Sequence, residues 1–428
     1  MNILYVASGI PLPGTLGGSV HTLEVARGLA QRGHTVDVVA CTRPGVFDIA
    51  ALMRPISSRY DRFRLHHIDV PKTLALLSAP VIMRLARALK PDIIIERYYN
   101  FAGAGILAAR RLGVPSILEV NALIVDPPVV LKRRLDDLLG GPMRRWAVAQ
   151  CRMADRIVTP LHTTVPPEIP RSRIVELPWG ADVERFCIDR TQEGATPAVP
   201  TVVFLGSFRA WHGALDAVRA GGLLVEQGRA CHFLFIGDGP QRAAAVRLAA
   251  RWQGHFTFTG AVPYDDVPSL LAQASIAVAP FDTAAHPALR AAGFFWSPLK
   301  VFEYMAAALP VVTIDIPPLN QIVRHGSEGL LYPEGDVDAL AGAIAYLIDH
   351  PDDARAMGER GRARVTAHFS WSRHCEALER VMEETLQVVL GSRFLVLSSW
   401  FLVLRAYPNN PAARTAITPQ AKRLQFFG

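Results

Sequence analysis

Short apolar runs of strand length alternate with amphipathic helical segments from the start of the chain. Residues 3–7 and 35–40 are predicted buried strands, and between them residues 20–30 repeat apolar side chains at helical spacing until Gly33. The alternation continues with predicted strands over residues 92–95, 115–119 and 156–159, and with one long basic helix over residues 129–153. Strands that alternate with helices of this length predict parallel βαβ units, with helices on both faces of a sheet.

A second series of the same kind follows a break in the pattern. Residues 189–200 are polar and contain proline and glycine, which is typical of a linker. Predicted strands then follow at residues 202–205, 231–236, 256–258, 276–279 and 311–314. We therefore predict an α/β protein of two doubly wound Rossmann-like domains, residues 1–185 and 200–370, with a ligand-binding cleft between them. Residues 371–428 are expected to form a helix that crosses back to the first domain, followed by an apolar tail.

Neither a signal peptide nor a membrane-spanning helix is expected. The first residues carry no basic segment and run directly into a strand. The most apolar run, residues 394–404, is shorter than the about 20 residues that a spanning helix needs, and it is either a buried terminal segment or an interfacial anchor. The five cysteines form no Cys-x-x-Cys pair, which argues against a disulfide framework and a zinc site. We expect a soluble cytoplasmic protein that at most touches the inner face of the membrane.

Charge is unevenly distributed between the two halves of the chain. Residues 1–180 contain 23 basic and 14 acidic side chains, a net charge of +9, whereas residues 181–428 contain 22 and 24, a net charge of −2; the two values sum to +7. Basic clusters at residues 132–134 and 144–145 supply much of the excess. One interpretation is that they form a surface that binds anionic lipid headgroups or a lipid-diphosphate acceptor. The alternative is that they are a solvated face of a helix. No aromatic side chains interleave with the clusters, which argues against nucleic-acid binding.

Glycine-rich loops follow predicted strands in both domains. Gly17 and Gly18 precede the first helix, with Ser19 as its expected N-cap, and small residues there let a phosphate approach the amides at the helix N-terminus. Their spacing differs from the dinucleotide-binding and P-loop patterns, and the two glycines could equally make a tight turn. Gly237 lies in a similar loop, which is either a second phosphate site or a capping turn.

Side chains that could bind a diphosphate lie in the second half of the chain. Arg209 and His212 follow the first strand of the second domain. Lys300 is one of five lysines among 45 basic residues, and it shares one face of a helix, predicted to start at Leu299, with Glu303. A compact ammonium group binds phosphate as a point charge. The alternative is that Lys300 and Glu303 form an exposed ion pair on the helix surface.

These motifs occur in a specific order along the chain. They are residues 17–21 with 29–36, 177–182, 204–213, 235–240 and 299–312. Taken together they resemble the family 4 glycosyltransferases, which have the two-domain GT-B fold, and residues 117–122 resemble the variant found in bacterial polysaccharide and glycolipid pathways. The resemblance implies that the second domain binds a UDP- or GDP-sugar. It also implies that the first domain binds a saccharide, lipid-linked or small-molecule acceptor.

The resemblance also implies roles for individual residues. Glu303 matches the acidic residue that holds the ribose hydroxyls of the donor, and Lys300 lies where related sequences have a diphosphate-binding lysine. The expected donor site is completed by Gly17, Gly18, Gly237 and Leu299. The implied reaction is hexosyl transfer with retention of anomeric configuration, without a metal or cofactor. Cationic side chains and backbone amides would then stabilise the departing diphosphate.

Three positions depart from the family pattern. Phe295 stands where the first glutamate of a Glu-x7-Glu pair is expected. Ser207 and His212 replace the usual arginine and lysine. Arg209, His212 and Lys300 are therefore the expected catalytic residues, because they must supply the positive charge at the diphosphate.

Further polar residues are expected around the cleft. Asp282 or His286, in the loop before the Lys300 helix, is expected to contact the donor sugar. The residues expected to end strands of the first domain and face the acceptor are Glu96, Arg97, Glu119 and Asn121. A buried structural ion pair between Glu96 and Arg97 is the alternative for those two residues.

Two other functions are compatible with the same motifs. An NDP-sugar epimerase on the same fold would bind the nucleotide but would need neither an acceptor nor a basic first domain. A catalytically silent partner subunit that binds a sugar nucleotide is suggested by Phe295 and by the missing cationic pair. Measuring sugar transfer or release from labelled donors separates these functions.

Overall fold

Two parallel sheets, each with helices packed on it, form the body of the protein. The computed structural model describes residues 1–14, 17–187 and 199–406. Most of the predicted linker and the terminal residues 407–428 lie outside this part of the chain. The two sheets confirm the predicted α/β class.

The first sheet has eight strands. They are β1 (Asn2–Pro11), β2 (Thr35–Cys41), β3 (Ile56–Tyr60), β4 (Phe63–His67), β5 (Ile93–Arg97), β6 (Ser116–Glu119), β7 (Arg156–Thr159) and β8 (Ile174–Glu176). Their order is β3-β4-β2-β1-β5-β6-β7-β8, and β3 alone is antiparallel to its neighbour. The hydrophobic pattern did not predict β3, β4 or β8. Most of β3 is exposed at the sheet edge, so it lacks the apolar run of a buried strand.

Six α-helices accompany this sheet in the described part of the chain. They are α1 (Gly17–Gln31), α2 (Ile49–Met53), α3 (Ala79–Leu89), α4 (Ala104–Leu112), α5 (Leu131–Leu138) and α6 (Pro142–Met153). Ser19 lies inside the first turn of α1, so its predicted role as N-cap is wrong. The single helix predicted over residues 129–153 is also wrong. Gly140 and Gly141 have φ values of 81° and 74° and separate α5 from α6.

The second sheet has six strands, all parallel. They are β9 (Thr201–Leu205), β10 (His232–Ile236), β11 (Phe256–Gly260), β12 (Ile276–Ala279), β13 (Val311–Ile314) and β14 (Gly329–Tyr332), in the order β11-β10-β9-β12-β13-β14. The helices are α7 (Ala214–Glu226), α8 (Arg242–Ala249), α9 (Val267–Leu271), α10 (Pro287–Ala292), α11 (Leu299–Ala306), α12 (Leu319–Ile322) and α13 (Val337–Asp349). Short 3-10 helices occupy Lys72–Ser78, His162–Thr164, Arg171–Arg173, Ala210–His212 and Tyr264–Asp266. The pattern predicted all of these strands except β14.

Two helices end the described chain, α14 (Pro351–His368) and α15 (Trp371–Ala406). The start of α15 packs against α1 of the first domain, where Nε of Arg32 donates to Glu379 at 2.7 Å. The backbone of residues 394–404 continues α15, but their side chains lie outside the described residues, so the two alternatives for this apolar run stay open. Among the described residues, no helix is long and apolar enough to cross a membrane.

Each sheet has one topological switch point, where the chain reverses the direction in which it adds strands to the sheet. In the first sheet the chain winds outward from β1 to β2 and β4, then returns to place β5 on the other side of β1. In the second sheet it winds from β9 to β10 and β11, then places β12 beside β9. Ligands bind at such points, at the carboxyl ends of the strands.

Candidate active site

A cavity of about 610 Å³ lies between the two domains, beside both switch points. The loop after β1 and the start of α1 contribute Gly17 from the first domain. The loop after β9 contributes Arg209 and His212, and α11 contributes Lys300 and Glu303. Other predicted site residues on the cavity wall are Asn121, Gly237 and Leu299. Eight of the predicted residues, from distant parts of the chain, therefore surround one cavity.

Lys300 is a buried cation near the N-terminus of α11. Its side-chain nitrogen has no hydrogen-bond partner among the described residues and lies 4.6 Å and 4.9 Å from the ring centroids of Phe204 and Phe281. Burial lowers the pKa of Lys300 to about 7, and the nearby Glu303 carboxylate only partly opposes this effect. An amino group held in this way is available to an anion in the cavity.

Glu303 lies one turn further along α11. The hydroxyl of Tyr264 donates a hydrogen bond to its Oε1 at 2.9 Å. Burial raises the pKa of Glu303 to about 8, and Tyr264 and Lys300 only partly offset it. Both Lys300 and Glu303 are buried, so the alternative of an exposed surface ion pair is wrong. Tyr264, which orients the Glu303 carboxyl group, was not predicted from the sequence.

Lys300 and His212 meet at Gly206, the residue directly after β9. A Cβ atom on Gly206 would lie 2.8 Å from Nζ of Lys300 and 2.9 Å from Nδ1 of His212. The backbone N–H of Ser207 lies 3.3 Å from Nδ1 of His212, and the ring accepts this hydrogen bond when it is neutral. The absence of a side chain on Gly206 thus leaves space beside both groups.

His212 does not supply the positive charge that the sequence predicted. Burial, together with the charges of Lys300 and Arg209, lowers its pKa to about 2. A neutral imidazole that accepts at Nδ1 carries its proton on Nε2, so His212 offers a hydrogen-bond donor in place of a charge. Arg209 is exposed at the cavity and lies over the ring of Trp211, 5.3 Å from its centroid. The positive charge at this wall therefore comes from Arg209 and Lys300.

The two glycine loops differ in their geometry. Gly237 has a φ of 122°, and a Cβ atom there would lie 2.0 Å from the carbonyl oxygen of Gly206, so only glycine fits. Gly17 lies on the cavity wall. Gly18 is not among the residues that line the cavity, and a Cβ atom there would lie 3.7 Å from a guanidinium nitrogen of Arg97. The contact of Gly18 with the donor therefore stays a prediction.

Arg97 and Glu119 form a buried network on the first-domain side of the cavity. Nη1 of Arg97 donates to Glu119 at 2.8 Å and to Nδ1 of His21 at 2.7 Å. The hydroxyl of Tyr5 donates to the other Glu119 oxygen at 2.5 Å, and the amide of Asn121 also donates to Glu119. Burial lowers the pKa of His21 well below its usual value, and the adjacent guanidinium adds to this, so the ring is neutral. Of these residues, Asn121 reaches the cavity wall.

Trp179 connects this network to the second domain. Its indole nitrogen donates to Oδ1 of Asn121 at 2.7 Å, and its backbone N–H donates to Oγ of Ser297 at 3.0 Å. Its ring lies 4.5 Å from the ring of His21. Trp179 was not predicted as a site residue, although it lies in the motif at residues 177–182. Trp179 therefore links the Arg97–Glu119 network of the first domain to the loop before α11 of the second domain.

Glu96 has a structural function. Neighbouring residues of a strand point to opposite faces of the sheet, so Glu96 and Arg97 diverge, and the alternative of an ion pair between them is wrong. Glu96 accepts hydrogen bonds from the backbone N–H groups of Gly103 and Ile106, at 2.8 and 2.7 Å, at the start of α4. Glu96 is therefore not among the residues that line the cavity. Burial raises its pKa to about 7, even though these N–H groups favour the charged form.

The cavity wall near α10 is formed by aromatic side chains, although the family pattern has a glutamate in this segment. Trp211, Phe294 and Trp296 line the cavity, whereas Phe295 is buried in an apolar cluster that joins the two domains through residues such as Leu123. The side chain that replaces the first glutamate of the family pattern thus contributes to domain contact.

The two residues expected to contact the donor sugar lie behind this wall. The Asp282 carboxylate accepts a hydrogen bond from the backbone N–H of Ala285 at 3.1 Å. The His286 ring packs 4.6 Å from Trp211. Neither residue is among those that line the cavity.

Known proteins match the chain in both domains. The family description "Glycosyltransferase Family 4" matches residues 16–166, and "Glycosyl transferases group 1" matches residues 199–350. A 2-deoxystreptamine glucosyltransferase of Streptomyces kanamyceticus is 28% identical and covers 82% of this chain and 94% of its own length. A D-inositol 3-phosphate glycosyltransferase of Nocardia farcinica is 26% identical, with 90% and 88% covered.

Solved structures share the architecture. Sucrose-phosphate synthase from Thermosynechococcus elongatus superposes with a TM-score of 0.68 at 18% identity, covering 90% of this chain and 99% of that one. HepE of Anabaena, in complex with UDP-glucose, gives a TM-score of 0.64 at 16% identity, with 90% and 100% covered. The chain belongs to the family 4 glycosyltransferases, and its two domains have the GT-B fold. The resemblance found in the sequence is thereby confirmed.

Proposed function

We propose that this glycosyltransferase transfers a hexose from a UDP- or GDP-sugar to a saccharide, lipid-linked or small-molecule acceptor, with retention of anomeric configuration and without a metal. The observation that carries the proposal is the buried Lys300 amino group, which faces the interdomain cavity without a hydrogen-bond partner among the described residues. A buried cation without a partner is costly unless a ligand compensates it. The diphosphate of a nucleotide sugar is such a ligand.

The donor is bound mainly by the second domain in this proposal. Lys300 and Arg209 bind the diphosphate, and the neutral His212 donates an N–H hydrogen bond to it. Glu303, oriented by Tyr264, accepts hydrogen bonds from the ribose hydroxyls. The negative charge that develops on the leaving diphosphate is stabilised by these fixed groups, which need no rearrangement during the reaction.

Related proteins support the range of donors and acceptors. The HepE structure contains UDP-glucose, and the names of the two relatives above denote glycosyl transfer to 2-deoxystreptamine and to inositol 3-phosphate. A GDP-mannose-dependent phosphatidylinositol monomannoside mannosyltransferase of Mycobacterium tuberculosis is 30% identical over 47% of this chain and 54% of its own length. Retention is proposed from family membership. The five unpaired cysteine thiols support action in the reducing cytoplasm.

A nucleotide panel tests the proposal directly. We expect either UDP or GDP to raise the melting temperature of the protein more than ADP or CDP does, because ligand binding stabilises the folded state by mass action. The matching labelled nucleotide sugar should then transfer its sugar to a saccharide or polyol acceptor, and NMR should show retained anomeric configuration. Nucleotide binding without transfer or hydrolysis of any donor would contradict the proposal in favour of a silent partner. Conversion of the sugar to its epimer would show an epimerase.

The low pKa of Lys300 predicts that nucleotide affinity depends on pH. A bound diphosphate raises the pKa of Lys300 from about 7, so binding takes up a proton above pH 7, and affinity falls as the pH rises from 7 to 9. The phosphates, with a last pKa of about 6, are already ionised in this range. Calorimetry of the selected nucleoside diphosphate at pH 8, in two buffers that differ in ionisation enthalpy, measures the proton uptake.

Matched variants assign that proton to a residue. Lys300→Met should abolish the uptake, whereas Arg209→Met should weaken binding but retain it, because a guanidinium does not titrate here. Glu303→Gln should also retain the proton uptake. This variant removes a carboxyl group whose pKa is raised to about 8 and which could otherwise release a proton on binding, in opposition to the uptake by Lys300. Equal proton uptake in the wild type and in Lys300→Met would show that Lys300 is not the titrating group.

A further inference from the structure

Exposed apolar side chains are concentrated in the first domain. Of the seventeen large hydrophobic side chains that are exposed in the described part of the chain, thirteen lie between residues 46 and 139. They fall within residues 46–56, 74–77 and 129–139, with Phe101 between them. Exposed apolar side chains are normally scattered singly over a protein surface, so a concentration of them marks an interaction surface.

The sheet topology brings these segments to one edge of the domain. The segments follow the carboxyl ends of β2, β4, β5 and β6, which are parallel strands of the same sheet. Ile56 starts the antiparallel β3 and pairs with His67 at the end of β4, so it lies at this edge too. We call residues 46–56, 74–77, 101 and 129–139 the carboxyl rim. The same edge of the sheet carries the acceptor side of the cavity.

Helix α5 forms the most exposed part of the carboxyl rim. Leu131, Leu135 and Leu138 are 70%, 53% and 82% exposed, and their spacing of four and three residues places them on one helix face. Asp136 is buried on the other side, where its carboxylate accepts hydrogen bonds from the N–H groups of Met143 and Arg144 at the start of α6. This cap holds α5 so that its leucine face stays directed to solvent.

Basic side chains surround the leucine face. Residues 126–145 contain five basic and three acidic side chains, a net charge of +2. One of the acidic groups, Asp136, is buried by the cap, while Lys132, Arg134 and Arg144 are exposed. Asp126 and Asp137 neutralise part of the charge: Asp126 pairs with Lys132 at 3.0 Å, and Asp137 pairs with Arg133 at 2.8 Å and with Arg144 at 3.5 Å. Leucines within a basic border suit an anionic bilayer better than a second copy of this chain, whose like charges would repel.

We propose that the carboxyl rim, led by the leucine face of α5, docks on the surface of an anionic lipid bilayer. The leucines enter the interfacial region, and the basic residues contact the lipid headgroups. The cavity then opens toward the bilayer, where a lipid-linked acceptor is presented. The choice of that acceptor class rests on the proposed glycosyltransferase function, whereas docking itself does not.

Sedimentation with lipid vesicles tests the docking surface in the full-length protein. We expect binding to vesicles of equimolar phosphatidylglycerol and phosphatidylcholine, and weaker binding to phosphatidylcholine alone. The triple variant Leu131→Ser, Leu135→Ser, Leu138→Ser should lose at least tenfold in vesicle affinity, since each of these exposed leucines would transfer apolar surface from water into the bilayer. The control is Val246→Ser with Tyr346→Ser, which changes exposed apolar residues of the second domain and should bind as the wild type does.

Three outcomes would overturn the docking proposal. These are absence of wild-type binding to the anionic vesicles, vesicle binding by the triple variant equal to the wild type, and a leucine-dependent dimer in light scattering without vesicle binding. An unchanged melting temperature shows that the triple variant is folded. Transfer to a water-soluble acceptor should be unchanged in that variant. Failure of the proposed function would instead appear as absence of transfer by the wild type, with or without vesicles.

Discussion

Replacing Lys300 by methionine is expected to lower the rate of sugar transfer at least tenfold. Each charge-assisted hydrogen bond to the leaving diphosphate contributes about 1.5–3 kcal/mol, and about 1.4 kcal/mol corresponds to a factor of ten in rate. The loss should appear in kcat as well as in kcat/KM, because the negative charge of the diphosphate grows in the transition state. Steady-state kinetics with the donor selected by the nucleotide panel measure both.

The same substitution should not destabilise the fold. Burial disfavours the charged form of Lys300 and lowers its pKa to about 7, so an apolar side chain of similar length removes a cost of folding. We therefore expect a melting temperature equal to or above that of the wild type. The exposed Arg247 on α8 supplies the matched control, since Arg247→Met also removes a cation from the second domain and should leave the rate unchanged.

Two results would distinguish the roles of Lys300 and Glu303. Wild-type kinetics in Lys300→Met would remove Lys300 from the site. Glu303→Ala is expected to lower donor turnover at least tenfold as well, but through the ribose contact. A rise in KM with little change in kcat for Glu303→Ala would show that this carboxylate contributes uniform binding, in contrast to Lys300.

Replacing Arg97 by methionine is expected to lower the free energy of unfolding by about 3–5 kcal/mol, the range observed when one partner of a buried ion pair is removed. Arg97 and Glu119 are both buried, and in the variant Glu119 would keep neutral partners but lose its counter-charge. Urea unfolding at neutral pH, followed by circular dichroism, measures the change.

The double variant Arg97→Met with Glu119→Gln tests the origin of that loss. Glutamine removes the uncompensated charge but can still accept a hydrogen bond from Tyr5, so part of the lost stability should return. A double variant that is less stable than Arg97→Met by the full cost of the second substitution would contradict the coupling. In that case the two side chains would act independently.

Strands that are buried on both faces could be predicted because such burial requires continuous apolar runs. Residues 156–159, 276–279 and 311–314 match β7, β12 and β13 without a shift. The edge strand β3 could not be predicted in this way, since its side chains are mostly exposed and polar. The break between α5 and α6 depends on the left-handed conformation of Gly140 and Gly141, which the helical periodicity on both sides concealed.

In the candidate site, too, the sequence indicated some features and only the tertiary structure showed the others. The spacing of Lys300 and Glu303 on one helix face, and the rarity of lysine in this chain, indicated the pair from sequence. Whether the pair was exposed or buried depended on how α11 packs within the second domain. The contacts of Trp179 with Asn121 and Ser297 span 58 and 118 residues, so local sequence patterns contain no signal for them.

The sequence alone determined the alternation of strands and helices, the two-domain organisation and eight of the residues that line the cavity. These properties follow from local hydrophobic periodicity and from residue type. Only the tertiary structure decided the protonation states and partners of these side chains: a neutral His212, a Lys300 amino group without a hydrogen-bond partner among the described residues, and an Arg97 paired with Glu119 in place of Glu96. The physical reason is that desolvation and charge–charge interactions depend on which distant residues surround a side chain.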